Sequence, residues 1–240
     1  LSTLHSSEAA VVCYALPFLR AIDYPHGMSV EEGLKHHLEQ MDKYHKKSDF
    51  KSLPVVVAAH FYAVGAYVNE VEHSERLVVG GQDAVSVSNM AKRYAYTALG
   101  HIHKAQAVND LDTVRYAGSP IPLSFSERDY QRSVTLLNID EGGNTEVSTL
   151  DYTPLCALLT LPKYVYASPE KLLALLAELP EDDGTQPRET WPFLELRVEI
   201  SQPEPELRAQ IVQQLSNKAV RFCRVATNLA HSGERKAEDL

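Results

Sequence analysis

The sequence predicts an α/β chain in two parts: a sheet-dominated stretch over residues 1–152 and a compact βαβαβ appendage over 153–240. Three observations predict it. Short β-branched and aromatic runs recur before Pro154 with one long helical pattern among them; two of those runs end in histidine; and beyond Pro154 strand and helix patterns alternate.

In chain order, Val11 to Leu16 reads as a buried strand. Position 1 is leucine, so sequence is expected to precede it in the native protein. Ser29-Val30-Glu31-Glu32 has the capping-box pattern, and Leu34, Leu38 and Met41 recur at helical spacing up to the basic stretch Lys43 to Lys47, which predicts a surface helix. Leu53 to Ala59 is too continuously apolar for a half-exposed strand, so it is expected in a sheet covered on both faces, ending at His60. Arg93 to Gly100 reads as a further strand, followed at once by His101-Ile102-His103. Shorter strands fit Thr113 to Ala117, Ser133 to Ile139 and Thr145 to Tyr152, the last two joined by the turn residues Glu141-Gly142-Gly143-Asn144. The appendage reads as strand Ala157 to Leu161, helix Pro169 to Leu179, strand Phe193 to Ile200, helix Pro205 to Leu215 and strand Val220 to Thr227. Its acidic loop Pro180 to Pro187 reads as a solvated connection, and the charged tail His231 to Leu240 as a frayed end that stops short of the natural terminus.

The bulk numbers narrow the function. Hydrophobic content of 44% permits a buried core, but a formal charge of -9 excludes a surface that holds nucleic acid by bulk electrostatics, so any DNA contact is local or shared with a partner. Cys13, Cys156 and Cys223 are far apart in apolar runs and are expected as free core thiols of a reducing cytoplasm. No run approaches the ~18 apolar residues of a membrane span, and the first residues lack a signal-peptide pattern. A cytoplasmic protein with no membrane partner is expected.

Gly100-His101-Ile102-His103 is the sharpest chemical feature, because two imidazoles at i and i+2 just beyond a strand can be aimed from a bent loop at a divalent ion. Alone, an H-x-H pair is more often surface decoration. His60 ends a separate strand and can reach the same carboxyl edge, where ligands of α/β sheets gather, although a histidine bonded to backbone fits its spacing equally well. Gly118-Ser119-Pro120 reads as a tight loop beside such a site, or as a plain turn. Lys104, Arg115 and Arg132 stand near these loops, yet isolated cations there are usually solvated.

Taken together, strand-His60, then Gly100-His101-Ile102-His103, then Tyr116-Ala117-Gly118-Ser119-Pro120-Ile121-Pro122-Leu123-Ser124-Phe125 resembles, in order and separation, the later motifs of SbcD-type nucleases. Leu16-Pro17-Phe18-Leu19-Arg20 resembles the strand after that family's third metal motif, and the likeness runs on through the appendage. It implies the C-terminal half of a four-layer α/β/β/α metallophosphoesterase sandwich followed by a small cap that positions DNA. It implies two manganese ions, with magnesium as the alternative, His60 and His101 on one and His103 on the other, and Gly118, Ser119 and Pro120 on the substrate side. The family's D-x-H, G-D and G-N-H-D motifs, which supply bridging carboxylate, asparagine ligand and catalytic histidine, do not occur; Asp23-Tyr24-Pro25-His26 has the wrong spacing and reads as a turn. No catalytic residue is therefore assigned.

The resemblance further implies a double-strand DNA exonuclease and hairpin endonuclease of repair, recombination and replication, working with an SbcC-type ATPase as a homodimer within a heterotetramer. This chain alone is expected to be inactive. Its partner-binding helices, placed by the family after the cap, do not appear before Leu240. Two other readings stay open: a non-catalytic DNA- or partner-binding module, and a small-molecule phosphodiesterase, which the cap-like segment disfavours. In that segment Lys163, Lys171, Arg197, Arg208, Lys218, Arg221 and Arg224 are spread among carboxylates and read as a solvated surface.

Overall fold

The computed structural model describes residues 11–67 and 84–229, with two compact units, Leu1–Thr153 and Pro154–Leu240. The expectations for the first ten residues and for the tail from His231 lie outside the described residues.

The first unit is built on a five-stranded sheet: β1 (Val12–Leu16), β2 (Val55–His60), β3 (Tyr96–Gly100), β4 (Gln106–Val108) and β5 (Leu111–Tyr116), in the order β1-β2-β3-β5-β4. Its first four members in that order run parallel, and β4 returns antiparallel on β5. Helix α1 (Val30–His45) starts as the capping box requires: the Ser29 hydroxyl accepts from the Glu32 amide at 3.3 Å while the Glu32 carboxylate takes the Ser29 amide at 2.8 Å. Leu34 and Leu38 of α1 share one core with Tyr14, Leu16, Val57, Leu99, Val114 and Tyr116. β2 does lie between paired strands, but only Val57 and Ala59 are fully buried, so one face of it is covered more deeply than the other.

Two elements depart from the sequence reading. Residues Ser88–Arg93 form a short helix, α2, and the strand begins at Tyr96 rather than at Arg93. Six residues are too few for helical periodicity to show, and the aromatics Tyr94 and Tyr96 extend the strand pattern backwards. Strand β4 also carries no visible pattern; Asn109 and Asp110, at φ 51° and 58°, close it on β5 with a two-residue turn that needs left-handed backbone at both positions. β6 (Arg132–Ile139) and β7 (Thr145–Tyr152) pair antiparallel from Arg132↔Tyr152 to Ile139↔Thr145 as a separate two-stranded ribbon. The cysteines are a correction. All three are free, but Cys13 and Cys223 are exposed and Cys156 is intermediate; Cys13 lies on the face of β1 opposite the buried Tyr14 and Leu16, and none of the three belongs to either core.

The second unit is the βαβαβ arrangement: β8 (Leu158–Leu161), α3 (Pro169–Ala177), β9 (Phe193–Ile200), α4 (Leu207–Gln214) and β10 (Arg221–Leu229), with all strands parallel in the order β10-β9-β8. Alternate β9 residues Leu194, Leu196 and Val198 are fully buried with Leu172 and Leu176 of α3 and Ile211 of α4. α4 starts at Leu207, later than the expected Pro205. Among the described residues no helix is long and apolar enough to cross a membrane.

Candidate metal centre

Parallel pairing sets His60 level with Gly100, so the residues that leave β2 and β3 do so at the same carboxyl edge. Gly100 is required there: a Cβ on it would stand 2.8 Å from His60 Nδ1. The chain then bends sharply at His101, whose φ of 109° is a conformation that non-glycine residues rarely hold and that recurs at functional sites. The bend brings the His101 ring to 5.4 Å from that of His60, edge to face at 78°. Phe18, just beyond β1, also packs edge to face with His60 at 5.8 Å, and Tyr62 lies 6.4 Å from His101. Partial burial, and secondarily the charge of His103, hold the His60 pKa below the ordinary histidine value, which favours the neutral imidazole that ligates cations.

His103 is held differently. Its Nδ1 lies 2.8 Å from Oε1 of Glu127, a carboxylate of 1% exposure. Gly118, at φ 78°, lets the loop 118–120 press on this segment, since a Cβ there would meet the Ala105 amide nitrogen at 2.8 Å and the His103 carbonyl at 3.0 Å. The next residue, Ser119, donates its backbone N–H to the His103 carbonyl at 3.0 Å. Pro120 accepts at its carbonyl from the Tyr152 hydroxyl. The segment after His60 is fixed by Tyr116, whose hydroxyl donates to the Phe61 carbonyl at 2.9 Å and accepts from the Ala63 amide at 2.8 Å.

The sequence-derived site residues are thus close: His60 beside His101, and His103 tied to the loop of Gly118, Ser119 and Pro120. The imidazoles suit a divalent transition ion in kind but not in number. Among the described residues no group of three or more His, Cys, Asp or Glu is placed to hold an ion, and the carboxylate of Glu127 is already engaged, by His103 on one oxygen and by an ion pair with Arg132 at 3.0 Å on the other. Arg132 is consequently buried, not a solvated cation, and Lys104 lies over the Tyr67 ring at 4.3 Å. Sequence reasoning missed Glu127 and Tyr116. Ser124-Phe125-Ser126-Glu127 has the spacing of a capping box, a pattern that would send the carboxylate to a backbone amide and conceals its turn inward to histidine.

Comparison with known proteins gives these motifs a family. Residues 156–240 match the family model described as the type 5 capsule protein repressor C-terminal domain, SbcD_C. The chain is 32% identical over 208 residues to the D component of the SbcCD nuclease of Rhodobacter capsulatus, covering 82% of this chain and 49% of that protein. It is 33% identical over 156 residues to the corresponding protein of Escherichia coli K12, covering 60% and 38%, and 37% identical over 100 residues to that of Bacillus subtilis 168, covering 41% and 25%. The chain spans about half the length, or less, of these curated relatives. A parallel sheet with histidines leaving adjacent carboxyl ends defines an α/β chain with a cluster of imidazoles at one sheet edge, and the relatives it resembles are nuclease subunits by name. The chain belongs to the SbcD family.

Proposed function

We propose that this chain is part of a metal-dependent nuclease subunit that hydrolyses phosphodiesters of double-stranded DNA, at ends and hairpins, by two-metal chemistry. The observation that carries the reading is the juxtaposition of His60, His101 and His103 at one carboxyl edge, two of them in ring contact and the third held by a buried carboxylate. In this reading His60 and His101 hold one Mn2+ and His103 the other, with Mg2+ as the alternative. The ions, when bound, supply Lewis-acid stabilisation of the phosphoryl oxygens. The chain's own contribution is to place three imidazoles: Gly100 makes room for the ring of His60, the bend at His101 turns its ring to it, and the Gly118 loop supports the backbone of His103. The five-stranded sheet is then one half of a four-layer sandwich, and the second unit is the cap that positions DNA. Carboxylates that neutralise the ion pair come from outside the described residues. An SbcC-type ATPase, a homodimer within a heterotetramer, a cytoplasmic location, and work in repair, recombination and replication follow from the same reading.

The test is Mn2+ titration of the purified chain, followed by paramagnetic broadening of its histidine ring resonances. Broadening that starts at His60, His101 and His103, ahead of the histidines remote from this edge such as His26 and His45, is the expected result. Uniform broadening, or broadening led by other histidines, overturns the assignment.

The absence of an ion-holding carboxylate among the described residues favours a second reading, a non-catalytic module that binds duplex DNA or a partner. Fluorescence anisotropy with labelled duplex separates the two: binding with all three histidines indifferent to Mn2+ supports the module.

A further inference from the structure

Among the described residues of the first unit Glu127 is the most deeply buried carboxylate, at 1% exposure, and both of its oxygens are engaged. Its Oε2 accepts from the Arg132 guanidinium at 3.0 Å, from the Ser119 hydroxyl at 3.1 Å and from the Leu123 backbone amide at 3.2 Å. Arg132, itself 3% exposed, also donates to the carbonyls of Ser119 at 3.1 Å and Glu127 at 3.2 Å, and to the Ser119 hydroxyl. Three donors on one side, one of them the buried Arg132 cation, suit an ionised carboxylate, which can only accept. Its other oxygen, Oε1, faces Nδ1 of His103 at 2.8 Å. That nitrogen must therefore carry the proton, which leaves the lone pair of a neutral ring on Nε2.

We propose that Glu127 is a positioning residue: anchored by Arg132, Ser119 and the Leu123 amide, it fixes His103 as the Nδ1–H tautomer and so presents Nε2 to a divalent ion. The inference rests on the reading of His103 as a ligand and adds to it the residue that orients the ring, as carboxylates commonly do behind histidine ligands. It also explains why loop 118–120 belongs to the site. Ser119 bonds the same carboxylate, so the loop and the imidazole are set by one buried group.

The test locates the ring proton of His103 in the metal-free chain, by long-range 15N–1H correlation at about pH 9, where imidazoles are neutral, with His103→Gln giving the assignment. The wild-type ring is expected as Nδ1–H. In Glu127→Gln, the Arg132, Ser119 and Leu123 donors keep the amide oxygen on their side, so the amide NH2 faces Nδ1, and the proton is expected on Nε2. A residue that only packs would leave the tautomer unchanged. An Nε2–H ring in the wild-type chain, or an unchanged tautomer in a folded Glu127→Gln, overturns the proposal; if that variant does not fold, the wild-type tautomer decides. The failures are distinct. An Nε2–H wild-type ring defeats the role of Glu127 whatever Mn2+ does, whereas an Nδ1–H ring that Mn2+ leaves unbroadened defeats the reading of His103 as a ligand.

Discussion

At the scale of single residues, the candidate centre depends on a few side chains that hold backbone in place. Tyr116 is the clearest. Its hydroxyl satisfies both the Phe61 carbonyl and the Ala63 amide, two buried groups just beyond His60 that have no water to turn to, and burial pushes its own pKa well up. Tyr116→Phe leaves both unpaired, and we expect a loss of about 2–3 kcal/mol in urea unfolding, together with a shift of the His60 ring resonances. A loss below about 0.5 kcal/mol would show that the two groups find other partners. The ligand candidates were legible one by one, since glycine followed by H-x-H after a strand is a local pattern. Glu127 and Tyr116 were not, because their partners lie 24 and 55 residues away and no local pattern links them.

Between elements, the sheet and its helices are joined by one buried carboxylate. Asp42 of α1 accepts from the Tyr14 hydroxyl of β1 at 3.0 Å and from the Tyr94 hydroxyl at 3.5 Å, and pairs with Arg93 at the end of α2. Burial first, then the neighbouring Tyr94, pushes the Tyr14 pKa up to about 12, while Arg93 pulls it the other way. The folded-state value is raised above the ordinary 10.0, so the contribution is fully present below pH 10 and is lost as pH rises towards 12. Unfolding free energy is expected to fall over that window, with about 1–2 kcal/mol of the fall absent in Tyr14→Phe. Equal alkaline slopes in the two chains would remove Tyr14 as the cause. The helix carrying Asp42 was readable from its cap and its apolar spacing. The short helix α2 was not, since its six residues are stabilised by what they touch and not by their own periodicity.

For the whole molecule, charge and ligand chemistry point the same way. With a formal charge of -9 the chain lacks the bulk electrostatics to gather DNA, and its described residues include no ligand set that holds two cations against each other. The purified chain is expected to show no Mn2+-dependent hydrolysis of linear duplex DNA; robust cleavage would overturn the reading of the chain alone as inactive. The amino-acid sequence by itself determined the α/β class, the βαβαβ character of the second unit, and the order of the histidine motifs, because hydrophobic period, turn residues and H-x-H spacing are local properties. Tertiary structure alone decided which histidines touch, that Arg132 is a buried partner of Glu127 and not a solvated cation, and which way the carboxylate turns. Those outcomes depend on strand register and on desolvation, and both are set by residues far apart in the chain.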